Sequence, residues 1–161
     1  MKTHLRGLVL VGVAVIAGCH GAPKRPPPDQ VTAGSTLTVT TPFTIPAGQT
    51  GVYFQDNALQ GTAVPGSGYP YCHFLLPGSA AKPRVVAAQT FTVTNIELDE
   101  DAASRGNGFA SITRLNLQGG KQAGESRVSC RLPGDAASRR FVTPAEIRGA
   151  LGAYFDLKVA Q

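Results

Sequence analysis

Tryptophan is absent and methionine occurs once, which argues against an interface or cofactor box built on either residue. Charge is sparse as well: only 16% of the 161 residues are Asp, Glu, Lys or Arg. The formal charge of +5 belongs mostly to the N-terminus, because from Val31 onward 11 basic residues face 9 acidic ones. A nearly balanced surface lacks the electrostatic footprint that nucleic-acid binding needs, and that class is excluded. Histidine is scarcer still, with His73 the only one beyond residue 20. No apolar run approaches the ~20 residues that cross a bilayer as a helix. What the chain does hold is 42% hydrophobic residues punctuated by 19 Gly and 12 Pro. That composition fits a folded domain rich in turns and speaks against a long helical bundle.

The N-terminus carries an address. Lys2, His4 and Arg6 form a positive segment, Leu8 to Ile16 a short apolar one, and the run closes as Ile16-Ala17-Gly18-Cys19. This pattern reads as a secretory leader. Its final four residues resemble the lipobox of bacterial lipoprotein precursors. The resemblance implies a signal peptide over residues 1–18 and a mature chain beginning at a lipidated Cys19. Multiple acyl chains on one residue give a stable membrane anchor where a single chain binds reversibly. The resemblance further implies the cell envelope, and His20, in place of an inner-membrane retention Asp, points to the outer membrane facing the periplasm.

Residues 19–35 read as a tether. Pro23, Pro26, Pro27 and Pro28 lack backbone donors and restrict the residues before them, so polyproline II at about 3.1 Å per residue is expected.

Residues 36–161 read as a single β-rich domain. Leu37, Val39, Phe43 and Ile45 share one parity and Thr36, Thr38, Thr40 and Thr44 the other, the signature of one half-buried strand, with Pro42 at an edge or bulge. Val52-Tyr53-Phe54 begins a second strand, and Asp56 to Gly68 reads as a long loop. Tyr69–Leu76, Phe109–Leu117 and Val128–Leu132 give three more. In a further strand the apolar parity shifts from Phe91 and Val93 to Ile96 and Leu98, as a bulge near Asn95 would produce. Thr143-Pro144-Ala145-Glu146 matches a capping box with Pro at the first helical position, so a short helix is predicted, followed by a closing strand at Phe155–Val159. The expected fold is mainly β: an antiparallel sandwich or partly open barrel with one short helix near the C-terminus.

With Cys19 committed to lipid, Cys72 and Cys130 are left as a pair for a disulfide in an oxidising compartment. Both share parity with inward apolar neighbours. Two buried free thiols, or a metal pair with His73, are the alternatives; two Cys and one His are too few for a closed zinc site, and no metal or other cofactor is expected. If the two cysteines sit opposite each other on adjacent antiparallel strands, Tyr71 faces Arg131 and His73 faces Ser129. A disulfide crossing between two sheets would instead separate Tyr71 from Arg131.

The search for chemistry returns little. Gly66-Ser67-Gly68 lacks the spacing of a nucleophile elbow. Glu97, Asp99, Glu100 and Asp101 read as a solvated acidic turn, lacking the spaced ligands of a calcium loop. Opposite the inward row of Cys72, Phe74 and Leu76 stand Tyr69, Tyr71 and His73, which with Arg131 form a candidate binding surface and a potential Tyr71–Arg131 cation–π contact. The domain is similar in style to small proteobacterial envelope lipoproteins. The expected function is a lipid-anchored, non-catalytic binding or structural module, with the membrane as one partner through Cys19 and an envelope protein or glycan as another. The alternative is an envelope enzyme whose acid–base groups come from loop carboxylates such as Asp56, Glu97 or Asp99.

Overall fold

The structure, a computed structural model, describes residues 29–66, 68–102, 109–120, 125–134 and 140–161. The leader, the lipobox, Pro23 to Pro28 and Ser67 lie outside the described residues.

Among the described residues ten strands and one α-helix follow in the order β1 (Thr36–Val39), β2 (Phe43–Ile45), β3 (Gly51–Gln55), β4 (Ala58–Gly61), β5 (Tyr71–Leu75), β6 (Arg84–Val86), β7 (Gln89–Ala102), β8 (Phe109–Gly119), β9 (Ser126–Gly134), α1 (Pro144–Leu151) and, after a 3-10 turn at Gly152–Tyr154, β10 (Phe155–Lys158). Eight strands form one antiparallel sheet in the order β10-β1-β7-β8-β9-β5-β3-β4, while β2 and β6 pair as a separate ribbon. The large sheet curls into a half-barrel with α1 the one α-helix among the described residues, so the partly open barrel is the architecture found and the sandwich is not.

Curling follows from strand twist sharpened by irregular pairing. The register of β7 on β8 shifts between Val93 and Asn95, where the sequence places its change of parity. A second shift lies between Tyr53 and Phe54 where β3 meets β4.

The concave side holds the core. Leu37, Phe54, Phe74, Phe91, Leu115 and Val128 have no exposed surface there. The ribbon closes part of the opening through Phe43, whose ring meets Phe54, Phe74 and Phe155 at centroid distances of 5.2, 5.4 and 5.6 Å. Helix α1 packs Ile147, Ala150 and Leu151 into the same core. Its start is fixed by the predicted capping box: the Glu146 N–H donates to Thr143 Oγ1 at 3.3 Å, and the Thr143 N–H to Glu146 Oε2 at 2.9 Å. Arg140 adds a two-pronged bond to the same carboxylate, Nη1 to Oε2 at 2.8 Å and Nη2 to Oε1 at 2.7 Å. The helix ends at Gly152, whose φ of 58° and close packing on Asn57 leave no room for a side chain.

Four expectations change. The alternating run Leu37–Ile45 is two strands in different sheets, β1 and β2, because the chain breaks at Thr40–Pro42, where proline cannot donate to a ladder. The Asp56–Gly68 loop contains β4, reached through a tight turn at Asp56 and Asn57 with φ of 50° and 63°. The packed unit begins at Val31, ahead of the expected boundary at residue 36: Val31 belongs to the core and Ser35 is fully buried. Glu97 and Asp99 are strand residues of β7, with neither in a turn or loop.

Candidate functional site

Because side chains alternate along a strand, β3, β5, β7, β8 and β9 each send every second residue to the convex side of the half-barrel. The register aligns these residues in rows. Asp99, Ile112, Arg131, Tyr71 and Gln55 form one row across five strands, and Glu97, Arg114, Ser129, His73 and Tyr53 form the next.

Cys72 and Cys130 occupy the rung between Tyr71 and His73 on the opposite, buried side. They are directly opposed, with Cα atoms 4.0 Å apart and a disulfide between them. The adjacent-strand geometry is therefore the one found, and Tyr71 faces Arg131 while His73 faces Ser129. Between Tyr71 and Arg131 the structure shows a hydrogen bond: Arg131 Nη1 donates to Tyr71 Oη at 3.3 Å.

The four expected surface residues part company. Tyr69 precedes β5 in the loop and is 66% exposed, whereas Tyr71 is only 7% exposed. Its neighbour in the row, Gln55, is tied into the same loop, with Nε2 donating to the carbonyl oxygens of Gly66 at 3.3 Å and Tyr69 at 3.2 Å. Tyr71 is thus a packed residue of the convex side rather than an open contact ring. His73 and Arg131 are half-buried.

The residue that sequence reasoning missed is Tyr53. Its ring stacks on His73 with centroids 4.0 Å apart and planes inclined by 13°, and meets Tyr71 edge-on at 6.0 Å. Val52 and Phe54 point inward, so alternation alone places Tyr53 outward; its neighbour in space was the missing information. The stack is possible because β3 begins at Gly51. A Cβ there would lie 2.8 Å from His73 Nε2 and overlap the Phe74 carbonyl. Burial lowers the pKa of His73 from its ordinary value, favouring the neutral ring. Burial also raises that of Tyr53, with Tyr71 adding to the rise and Arg131 opposing it. The cluster is therefore a neutral aromatic set beside one guanidinium.

The carboxylates do not converge. Asp56 lies at the tip of the β3–β4 turn, near one edge of the sheet. Glu97 and Asp99 lie four strands away on β7. There Glu97 accepts bonds from Asn116 Nδ2 at 2.8 Å and Asn95 Nδ2 at 3.1 Å, and Asp99 pairs with Arg114. Among the described residues no group of three His, Cys, Asp or Glu is placed to hold a metal ion.

Comparison with known protein families, curated proteins and solved structures returns no match for this chain.

Proposed function

We propose that this protein is a lipid-anchored module of the bacterial envelope, held to the outer membrane through Cys19 and binding a periplasmic partner, without catalysis, through the convex side of β3, β5 and β9. The observation that carries the reading is the stacked Tyr53–His73 pair beside Arg131, on a sheet face whose opposite side is already filled by core. Rings of this kind bring apolar area and polar tips together, which suits a contact surface.

The point of attachment agrees. Val31 packs into the core on the concave side. Asp29 lies near enough to Arg140 to raise its pKa, and the Arg140 N–H donates to Ser111 Oγ, a concave-side residue of β8. A tether ending at Asp29 would join the domain on that side and leave the convex side turned away from the lipid.

Two measurements test the reading. Cys19→Ser is expected to release the protein from membranes after a salt and carbonate wash; retention overturns the anchor. A photo-crosslinking residue at position 73 is expected to capture an envelope protein or glycan that the same probe at exposed Val85 does not. Identical products from both positions overturn the assignment of the face.

A further inference from the structure

Beside the aromatic rows the convex side carries a third: Asn95, Asn116, Arg127, Leu75 and Gly51. At its β5–β9 end lies an open depression of about 580 Å³, lined by Thr50, Leu75, Leu76, Pro77, Glu125 and Arg127. Its volume falls within the range of small-ligand sites.

Both sides of this depression are held in place before anything enters it. Arg127 is an exposed residue, yet its Nε donates to Asn116 Oδ1 at 3.1 Å. Asn116 in turn donates from Nδ2 to Glu97, which Asn95 also contacts. This relay across β7, β8 and β9 fixes the guanidinium through its Nε while its two terminal nitrogens keep their fork geometry. On the far side, Arg84 Nη1 donates to the Pro77 carbonyl at 3.1 Å. Its Nη2 donates to Gln49 at 3.1 Å and Gly78 at 2.8 Å. The Leu76 N–H donates to the Thr50 carbonyl at 2.9 Å. An oriented guanidinium matches a carboxylate with two parallel bonds and loses little freedom on binding. Leu75 and Pro77 offer apolar surface to one side chain, with Leu76 packed into the core beneath them. Glu125 also lines the depression, where its carboxylate would repel a polyanion and accept an N–H from a bound peptide.

We propose that this depression is a subsite for the C-terminal carboxylate of a peptide whose last residue is apolar, with Arg127 taking the carboxylate and Leu75 and Pro77 the side chain. The proposal rests on the convex side being the binding side and names the chemistry recognised at one end of it.

The test uses the full chain in detergent micelles and the probe N-acetyl-Ala-Ala-Leu, titrated as the free acid and as the C-terminal amide. The acid is expected to bind at least tenfold more tightly than the amide. Arg127→Gln is expected to abolish that difference, Arg127→Lys to restore part of it, and Asn116→Ala to weaken the acid while leaving the amide unchanged. Thermal melts matching the parent protein show that each variant is folded. Equal binding of acid and amide, an unaltered preference in Arg127→Gln, or no binding of either overturns the subsite. Competition by glucuronate as effective as the peptide acid overturns the peptide assignment in favour of an acidic sugar. Failure here with crosslinks from position 73 intact leaves the convex-side reading standing; loss of those crosslinks with peptide binding intact removes the broader reading and keeps the subsite.

Discussion

Cys72 and Cys130 face each other on one rung of β5 and β9, so their disulfide staples two neighbouring strands across 58 residues of chain. The bond lies under the row that holds Tyr71 and Arg131. It therefore ties the convex surface to the core at its centre.

Closing a loop of 58 residues stabilises a fold by about 4 kcal/mol in the chain-entropy account. Cys72→Ser and Cys130→Ser are each expected to lower stability by a similar large amount. The double variant is expected to lose little beyond either single one, because all three remove the same bond. Urea unfolding of the four proteins checks this, and additive losses would contradict it.

Glu146 is held at a pKa of about 2, below its ordinary 4.5, first by its hydrogen bond to Arg140 and then by those to Thr143, with burial opposing. A carboxylate with a depressed folded pKa contributes stability above its unfolded pKa and loses it as pH falls through the folded one. Glu146→Gln is expected to cost up to ~1 kcal/mol at pH 7, the scale of a partly exposed ion pair. The gap to the parent protein should close between pH 4.5 and 2. Denaturant titrations at pH 6 and pH 3 measure it.

His73 titrates below its ordinary value of 6.5 because burial disfavours the imidazolium. The unfolded chain therefore takes up this proton first, and stability declines as pH falls below 6.5 toward the folded pKa. His73→Gln is expected to flatten that part of the stability profile. The ring's C2–H resonance in the parent protein should titrate below that of a model peptide; an unshifted midpoint would contradict the stacking on Tyr53.

Gly51→Ala is expected to destabilise the domain by about 2 kcal/mol, since an added methyl would press on the Phe74 carbonyl and on His73 Nε2. The same change should displace the His73 ring and return its titration toward the ordinary value. A melting temperature equal to the parent's would show that the strands can part without cost.

Much of the fold was legible because its signals are local. The parity change at Val93–Ile96 marked the bulge, and Thr143 to Glu146 marked the helix start. The pairing of Cys72 with Cys130 was legible too, but whether it joined neighbouring strands, with Tyr71 opposite Arg131, or crossed between two sheets was not. What was hidden depends on distant chain. The alternation from Leu37 to Ile45 is unbroken in sequence, and only the break at Pro42 sends its halves to different sheets. Strand β4 shows exposed Ala58 and Gln60 alternating with half-buried Leu59 and Gly61, a weak pattern typical of an edge strand. Tyr53 entered the candidate site only when β3 was seen to lie beside β5. Tyr71 left its exposed surface only when Gln55 was seen to hold the preceding loop.

Strand β1, the first of the described strands to be synthesised, has β7 on one side and β10, the last of them, on the other. Nearby, Thr32 Oγ1 donates to the Ala160 carbonyl, 128 residues further along. A chain emerging N-terminus first thus lacks the observed neighbour on that flank of β1 until β10 arrives. Contacts this distant in sequence form slowly because a long loop must close before they contribute. Loss of β10 would leave a nearly complete sheet with a bare strand available to another molecule, converting the loss of one short strand into a tendency to associate.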